Sequence, residues 1–464
     1  MNSNIPSDLI NSIGGCVFVE SKMLNQIENV KNGKITVLEI VKERLALLER
    51  HKSCNSIVCC DEKMVLKQAE EQDAGIRAGR KVGKLCGAVI TVKDNLDVKG
   101  LKATAGMKEF QDNVSSGDCE AVAKLRAEGA IILGKTNMPA GAMDMQTFND
   151  IYGRTNHPDF TEFTCGGSSG GGAAAVSLGI SDADIGDDFM GSIRVPAHFC
   201  GIYGMIGTDK VIPLGNMVGG KPNGSTMSNI LRVGIQAASL DDLHRLFAVV
   251  ADDSKIMPAR SGPGQIKIAY TKDCGGLPIS KEYADCFKGF IKVLSSKYHV
   301  DELDDWQFGF TKARECFLKL LYANMAISLP AVVRLMMGSK ISIRLKDYLE
   351  AEERREEYIA QLDRVLTEYD VLLAPVSATP AFRHKSPTKF RGIQPIYEDV
   401  LVDDARVPYS VANMGYTTPF SVTANPVIVI PIGKTASQLP IGIQVVGRRM
   451  HDLDLLKNAE RITL

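Results

Sequence analysis

The chain has 464 residues, 45% hydrophobic and 23% charged, and its 54 Lys+Arg against 55 Asp+Glu leave a net charge of −1. Such a chain can bury a large core, which excludes disorder and collagen, and its balance of charge leaves no electrostatic footprint for nucleic acid or an anionic membrane surface. Only glycine is skewed: 42 residues exceed the usual ~7%, which points to sites built from backbone.

Taken in chain order, segment 1–80 is helical in pattern. Residues 35–47 (ITVLEIVKERLAL) repeat apolar side chains at i, i+3 and i+4, and 64–78 does the same among Glu, Lys and Gln. A short apolar run, 85–92 (LCGAVITV), predicts a buried strand ending at Lys93, Asp94 and Asn95. A helix is predicted over 118–128 and a strand over 130–133, and this alternation argues an α/β fold. Glycines crowd 164–208, where 170–181 (GGGAAAVSLGIS) predicts a tightly packed helix opening from a glycine loop. Further strands are expected at 265–270, 371–374, 426–433 and 440–447, a long charged helix at 343–367 and a last helix at 452–462. Segments 209–230 and 384–420 read as irregular loops over a site. With no repeat, low-complexity tract or linker, one large domain is the simplest organisation.

The eleven cysteines are odd in number and scattered, with no Cys-x-x-Cys, so neither a zinc site nor a disulfide framework is expected. The N-terminal MNSNIPSDLI has no basic stretch followed by an apolar core. The longest apolar candidate, 326–337, is interrupted by Pro330 and Arg334 and is too short to span a bilayer. These features predict a cytoplasmic protein without an integral membrane span.

Three motifs compete for the chemistry. Gly129 to Thr136 fits the phosphate-binding pattern G-x-x-x-x-G-K-T. Its middle is apolar and strand-like, however, and Asn137-Met138-Pro139 opens a helix poorly, so a buried strand is expected instead. Gly166-Gly167-Ser168-Ser169-Gly170 fits the nucleophile elbow G-x-S-x-G, which needs a strand in front and an Asp and a His behind. Residues 157–163 do not read as a central strand, and His384 and His451 sit in polar stretches that read as surface. The third reading joins Lys93 at a strand end, Ser168 in the glycine loop and Ser192 in FMGSIRVP, spaced 75 and 24 residues apart.

The motifs ITVKDN at 90–95, GKTNMP at 134–139, CGGSSGG at 165–171, GSIRVPAHFCGIYG at 191–204, DVLLAPVSATP and LPIGIQVVG resemble those of the amidase signature family of serine hydrolases over nearly the whole chain. The resemblance implies a single α/β domain over 1–464, with a mixed sheet flanked by helices. Its parts would be a helical segment at 1–80, a signature core at 85–208 and the remaining sheet and substrate pocket at 209–464. It implies hydrolysis of linear amides, with esters as an allied class. Ser192 would form the acyl-enzyme, with Ser168 and Lys93 as the proton relay and backbone N–H groups of Phe189, Met190, Gly191 and Ser192 as the oxyanion hole. Ser169, Asp188 and Arg194 would hold the site, and Ala142 would lie near a small-molecule amide substrate. No cofactor or metal is implied, and a homodimer is a permitted assembly. A lysine serves as base only when its pKa falls from ~10.4 towards neutrality, which burial can achieve.

The sequence also departs from the family's usual Gly-Thr-Asp-x-Gly-Gly-Ser. It reads Gly186-Asp187-Asp188-Phe189-Met190-Gly191-Ser192, placing Met190 where glycine is usual, and Asp184 and Asp187 where small or neutral residues are usual. Any positive φ at Met190 would be strained. Two alternatives therefore stand beside amide hydrolysis: the glutamine-hydrolysing A subunit of a tRNA-dependent amidotransferase, and a catalytically impaired amidase-like binding protein. Phe160, Phe189, Met190, Met336 and Met337 are candidates for an apolar acyl pocket.

Overall fold

The computed structural model describes residues 21–218, 230–259, 265–328, 344–391 and 394–463. Eleven strands form one sheet. In chain order they are β1 (Ile57–Cys59), β2 (Val89–Lys93), β3 (Ile131–Thr136), β4 (Ala183–Asp188), β5 (Tyr203–Ile206), β6 (Arg232–Ala237), β7 (Lys267–Tyr270), β8 (His299–Glu302), β9 (Val371–Pro375), β10 (Val427–Lys434) and β11 (Pro440–Val446). Their spatial order is β1-β3-β2-β4-β6-β5-β10-β11-β9-β7-β8. The sheet is mixed. β2 runs parallel to both β3 and β4, the pairs from β4 across to β9 are antiparallel, and β9, β7 and β8 are parallel again.

Both faces of the sheet are covered, as a parallel segment requires. Alternation along β10 shows how: Ile428 and Ile430 enter the core beneath helices Leu240–Val250, Lys281–Ser295 and Asp452–Thr463. Val427 and Val429 face the opposite layer, with Phe317, Leu362, Val195 and Phe199. The predicted helices lie at Val37–Arg50, where Thr36 and Glu39 form a capping box, and at Glu62–Arg77, Glu120–Ala127, Leu345–Glu368 and Asp452–Thr463. The small-residue helix is Gly170–Ser177. Its glycines let it lie close on its neighbours: a Cβ at Gly171 would stand 2.4 Å from the backbone nitrogen of Asn137.

Several expectations change. Segment 384–420 is not irregular throughout, since it folds into two short hairpins, Lys389–Arg391 with Gln394–Ile396 and Val400–Val402 with Ala405–Val407, and helices Tyr409–Met414 and Thr418–Val422. Gly129 to Thr136, by contrast, is as expected: a buried strand and no anion cradle. β3 is wholly buried, and Lys135 donates to the backbone carbonyls of Leu96 and Asp94. His384 and His451 are half-buried rather than on the surface, and bond Asn156 and Asp454. The N-terminal decapeptide, part of 209–230, and Met336 and Met337 lie outside the described residues.

Candidate active site

The site forms at the carboxyl ends of the neighbouring parallel strands β2 and β4, the end of an open sheet where ligands collect. Val92 is in register with Ile185, so Lys93, the last residue of β2, lies against the Asp187 end of β4. Lys93 has no exposed surface, and its Nζ donates to Ser168 Oγ at 2.7 Å. Ser168 is fully buried in the glycine loop, where the Gly167–Ser168 peptide bond is cis. The loop is tied to the third candidate through the backbone, because Ser169 N donates to the carbonyl of Ser192 at 3.0 Å. Lys93, Ser168 and Ser192, 75 and 24 residues apart in sequence, thus converge on one buried spot.

Asp188 and Arg194 form a pair with no exposed side-chain surface, Arg194 Nη2 to Asp188 Oδ1 at 2.8 Å and Nε to Oδ2 at 3.0 Å. Arg194 also bonds the carbonyl of Thr417, Gln444 Oε1 and Ser421 Oγ, which fastens the turn to helix Thr418–Val422 and to β11. Burial pushes the Asp188 carboxyl up, but Arg194 beside it wins and holds it well below the usual carboxylate range. Ser169 Oγ donates to the carbonyl of Asp187 at 3.3 Å.

The turn before Ser192 departs in one respect from the four-donor expectation. Gly191 N donates to Asp188 Oδ1 at 2.8 Å, so that N–H is already spent. Among the described residues no acceptor takes the N–H groups of Phe189, Met190 and Ser192. The positive φ falls on Gly191, at 116°, and not on Met190, so the methionine carries none of the strain its position suggested. Thr417 Oγ1 donates to the Met190 carbonyl and fixes the turn from the other side.

Met190 lines a cavity of about 280 Å³ with Met143, Asp144, Tyr397, Tyr409 and Met414. Phe189 packs edge-on against Phe317, and Phe160 packs elsewhere, against His157 and Phe163. Ala142 takes φ 60° in the turn that leads into this wall, but the lining side chains are those of its successors Met143 and Asp144. Burial pushes the Asp144 carboxyl up to about 6, against the pull of hydroxyl donors on Tyr397 and Tyr409. A cavity of about 630 Å³ opens between helices Glu62–Arg77 and Glu120–Ala127, but none of the candidate site residues lines it.

Three features were not foreseen. Asp187, read as an isolated departure, forms a buried ion pair with Lys93, Oδ1 to Nζ, and its Oδ2 accepts from Asn95 Nδ2. Asp184 accepts from Thr91 Oγ1 at 2.8 Å and Thr136 Oγ1 at 3.1 Å, and burial pushes its carboxyl up to about 7. Thr417 enters from a region read as loop. Only the type of Asp187 and Asp184, two acids beside a glycine-rich turn, signalled anything in the sequence. Among the described residues no cluster of three or more His, Cys, Asp or Glu is placed to hold a metal ion.

A large mixed sheet carrying a Lys–Ser–Ser convergence beneath a glycine turn defines a serine-hydrolase-like α/β class. The amidase family model matches residues 39–308 and 310–456, and the chain belongs to that family, the amidase signature enzymes. It is 27% identical to an acylamidase of Rhodococcus erythropolis, over 88% of this chain and 87% of the relative. It is 28% identical to the A subunit of the glutamyl-tRNA(Gln) amidotransferase of Oceanobacillus iheyensis, over 93% of each. A solved amidase structure superposes with a TM-score of 0.80 at 26% identity, over 94% of this chain and 97% of the other.

Proposed function

We propose that the protein hydrolyses a carboxylic amide through an acyl-enzyme on Ser192. The observation that carries this reading is the 2.7 Å contact from Lys93 Nζ to Ser168 Oγ, fully buried and tied by backbone to Ser192. A serine hydroxyl is a weak nucleophile and must lose its proton as it attacks. Ser168 takes that proton and passes its own to Lys93, and the reversed relay protonates the departing amine. The carbonyl oxygen, as it becomes an oxyanion, is met by the free N–H groups of Phe189, Met190 and Ser192, each worth ~3–4 kcal/mol when aimed at it. Ser169, Asp188 and Arg194 hold this geometry without touching substrate.

Thioethers and tyrosine rings around the 280 Å³ cavity suit an apolar acyl or leaving group. Residues 85–208 bring the relay, and 209–464 bring Thr417, Tyr397 and Tyr409. The described cysteines are all free thiols, which supports a reducing, cytoplasmic setting, and no described helix is long and apolar enough to cross a membrane. A homodimer fits this reading, and light scattering decides it. Relatives that serve as the A chain of an amidotransferase favour glutamine as a second reading, and glutamine turnover on co-purification with partner proteins would establish it.

A fluorophosphonate should label Ser192 and nothing in Ser192→Ala. Wild type should turn over a member of a panel of short aliphatic, aryl and long-chain amides that Ser192→Ala leaves untouched. An unlabelled wild type beside a labelled control amidase would sink the reading in favour of an impaired, amidase-like binding protein.

A further inference from the structure

Lys93 is placed as an ammonium. Its Nζ has three acceptors around it, matching three N–H donors: Ser168 Oγ at 2.7 Å, the Asp187 carbonyl at 3.4 Å and the Asp187 carboxylate. The carboxylate is itself nearly buried, with 4% of its side chain exposed, and its second oxygen accepts from Asn95. A charged lysine cannot take the Ser168 proton. Something in the site must accept the proton that Lys93 sheds, and among the described residues Asp187 is the one acid that touches it.

We propose that Asp187 is a positioning residue that holds this proton, so that the relay runs as Ser192, Ser168, Lys93 and Asp187. The inference rests on the amide-hydrolase reading and extends it. In acylation the Lys93 Nζ–H bond breaks and Asp187 Oδ1 gains the proton. The freed Nζ lone pair takes the proton of Ser168, and Ser168 Oγ takes that of Ser192. Ser192 Oγ bonds the carbonyl carbon, whose π pair moves to oxygen. On collapse the C–N bond breaks, and the same chain reverses to deliver one proton to the leaving nitrogen. Water repeats the cycle to free the acid. The buried pair gains one proton in acylation, taking its net charge from zero to +1 against the −1 of the oxyanion, and gives it up again when the leaving nitrogen is protonated.

Other charges face the pair: Asp184 from β4, Lys135 from β3, Asp94 after β2, and the Asp188–Arg194 pair beyond the turn. Asp184 is held by Thr91 and Thr136, Asp94 by Thr104, and Asp188 by Arg194. Lys135 is turned to backbone carbonyls. None of them bonds Lys93, which leaves Asp187 as its acid partner.

The test is the pH dependence of Ser192 labelling by a fluorophosphonate, in wild type, Asp187→Asn and Asp187→Thr, with Ser192→Ala as blank. With Asp187 as internal acceptor, the wild-type rate should be flat between pH 6 and 8. Without it, the relay must wait for Lys93 to lose its proton to solvent. The variants should then label about tenfold faster per pH unit, and approach wild type at the alkaline end. A merely structural aspartate would lower the rate evenly, and variant profiles parallel to wild type at any height overturn the proposal. So does a wild-type rate that itself climbs tenfold per unit, which keeps the test decisive should both variants fail to fold. Parallel profiles with labelled wild type refute the proposal alone, whereas labelling of a variant but not of wild type would show that Asp187 locks Lys93 and refute both the proposal and the amide-hydrolase reading of the natural chain. Absence of label in every chain would refute the amide-hydrolase reading as well.

Discussion

A Cβ built on Gly172 would lie 2.1 Å from Asp184 Oδ2, closer than any real side chain tolerates. Helix Gly170–Ser177 therefore rests on β4 only because the residue above the aspartate has no side chain. Neither residue explains itself alone, since the acid is unusual for a central strand and a glycine weakens a helix by ~1 kcal/mol. As a pair they fit. Gly172→Ala should cost about 2 kcal/mol by overpacking, and Asp184→Ala should remove the clash. A double-mutant cycle on urea midpoints should return a favourable coupling of about 1–3 kcal/mol between them; additive losses would refute the pairing. Asp187 teaches the same lesson for the site. Its type was conspicuous in the sequence, but its partner lies 94 residues away and is set by the register of β2 on β4.

Strands whose residues are mostly apolar were legible: β2, β3, β7, β9, β10 and β11 fall where short hydrophobic runs predicted them, to within a few residues. β4 was not, because ADIGDD reads as a polar loop, although all six residues are buried. Two of its acids are neutralised or bonded by groups distant in sequence, Asp184 by Thr91 and Thr136 and Asp187 by Lys93 and Asn95, and Asp188 is paired by Arg194 six residues on, across the turn. Local pattern cannot reveal a strand whose burial depends on partners supplied by the tertiary fold. For the same reason β4 is vulnerable at those partners. Arg194→Ala would leave Asp188 as an unpaired buried carboxylate and free the Thr417 carbonyl and Gln444. Thermal and urea unfolding should register a loss of about 3–5 kcal/mol. Arg194→Lys keeps a charge but cannot span the same acceptors, and should fall between the two.

Across the whole molecule, buried acids and buried histidines pull stability in opposite directions with pH. Burial pushes the carboxyls of Asp144 and Asp242 up to about 6 and that of Asp184 to about 7, from an ordinary 3.8, and Asp182 and Asp452 lean the same way. The folded chain keeps these protons after the unfolded chain has lost them, so stability falls as pH rises from about 4 to 7. His198 and His384 are pushed down to about 4 by burial, from 6.5. There the unfolded chain takes protons that the folded chain refuses, so stability rises with pH from about 4 to 6.5. The two sets partly offset each other in that window, but the raised carboxyls are the larger set, so wild-type stability should fall with pH across it by a few kcal/mol. Below pH 4 the depressed carboxyl of Asp188 takes over, and its contribution is lost as acid protonates it. Replacing Asp184 by Asn removes one falling component and leaves the histidines. Urea-unfolding free energies for Asp184→Asn should match wild type near pH 4.5. By pH 7.5 they should exceed it by about 3 kcal/mol, the worth of a carboxyl kept neutral until about 7. Parallel curves for the two proteins would mean that Asp184 is ionised in the folded sheet, balanced by Lys93 and Lys135 rather than by its own proton.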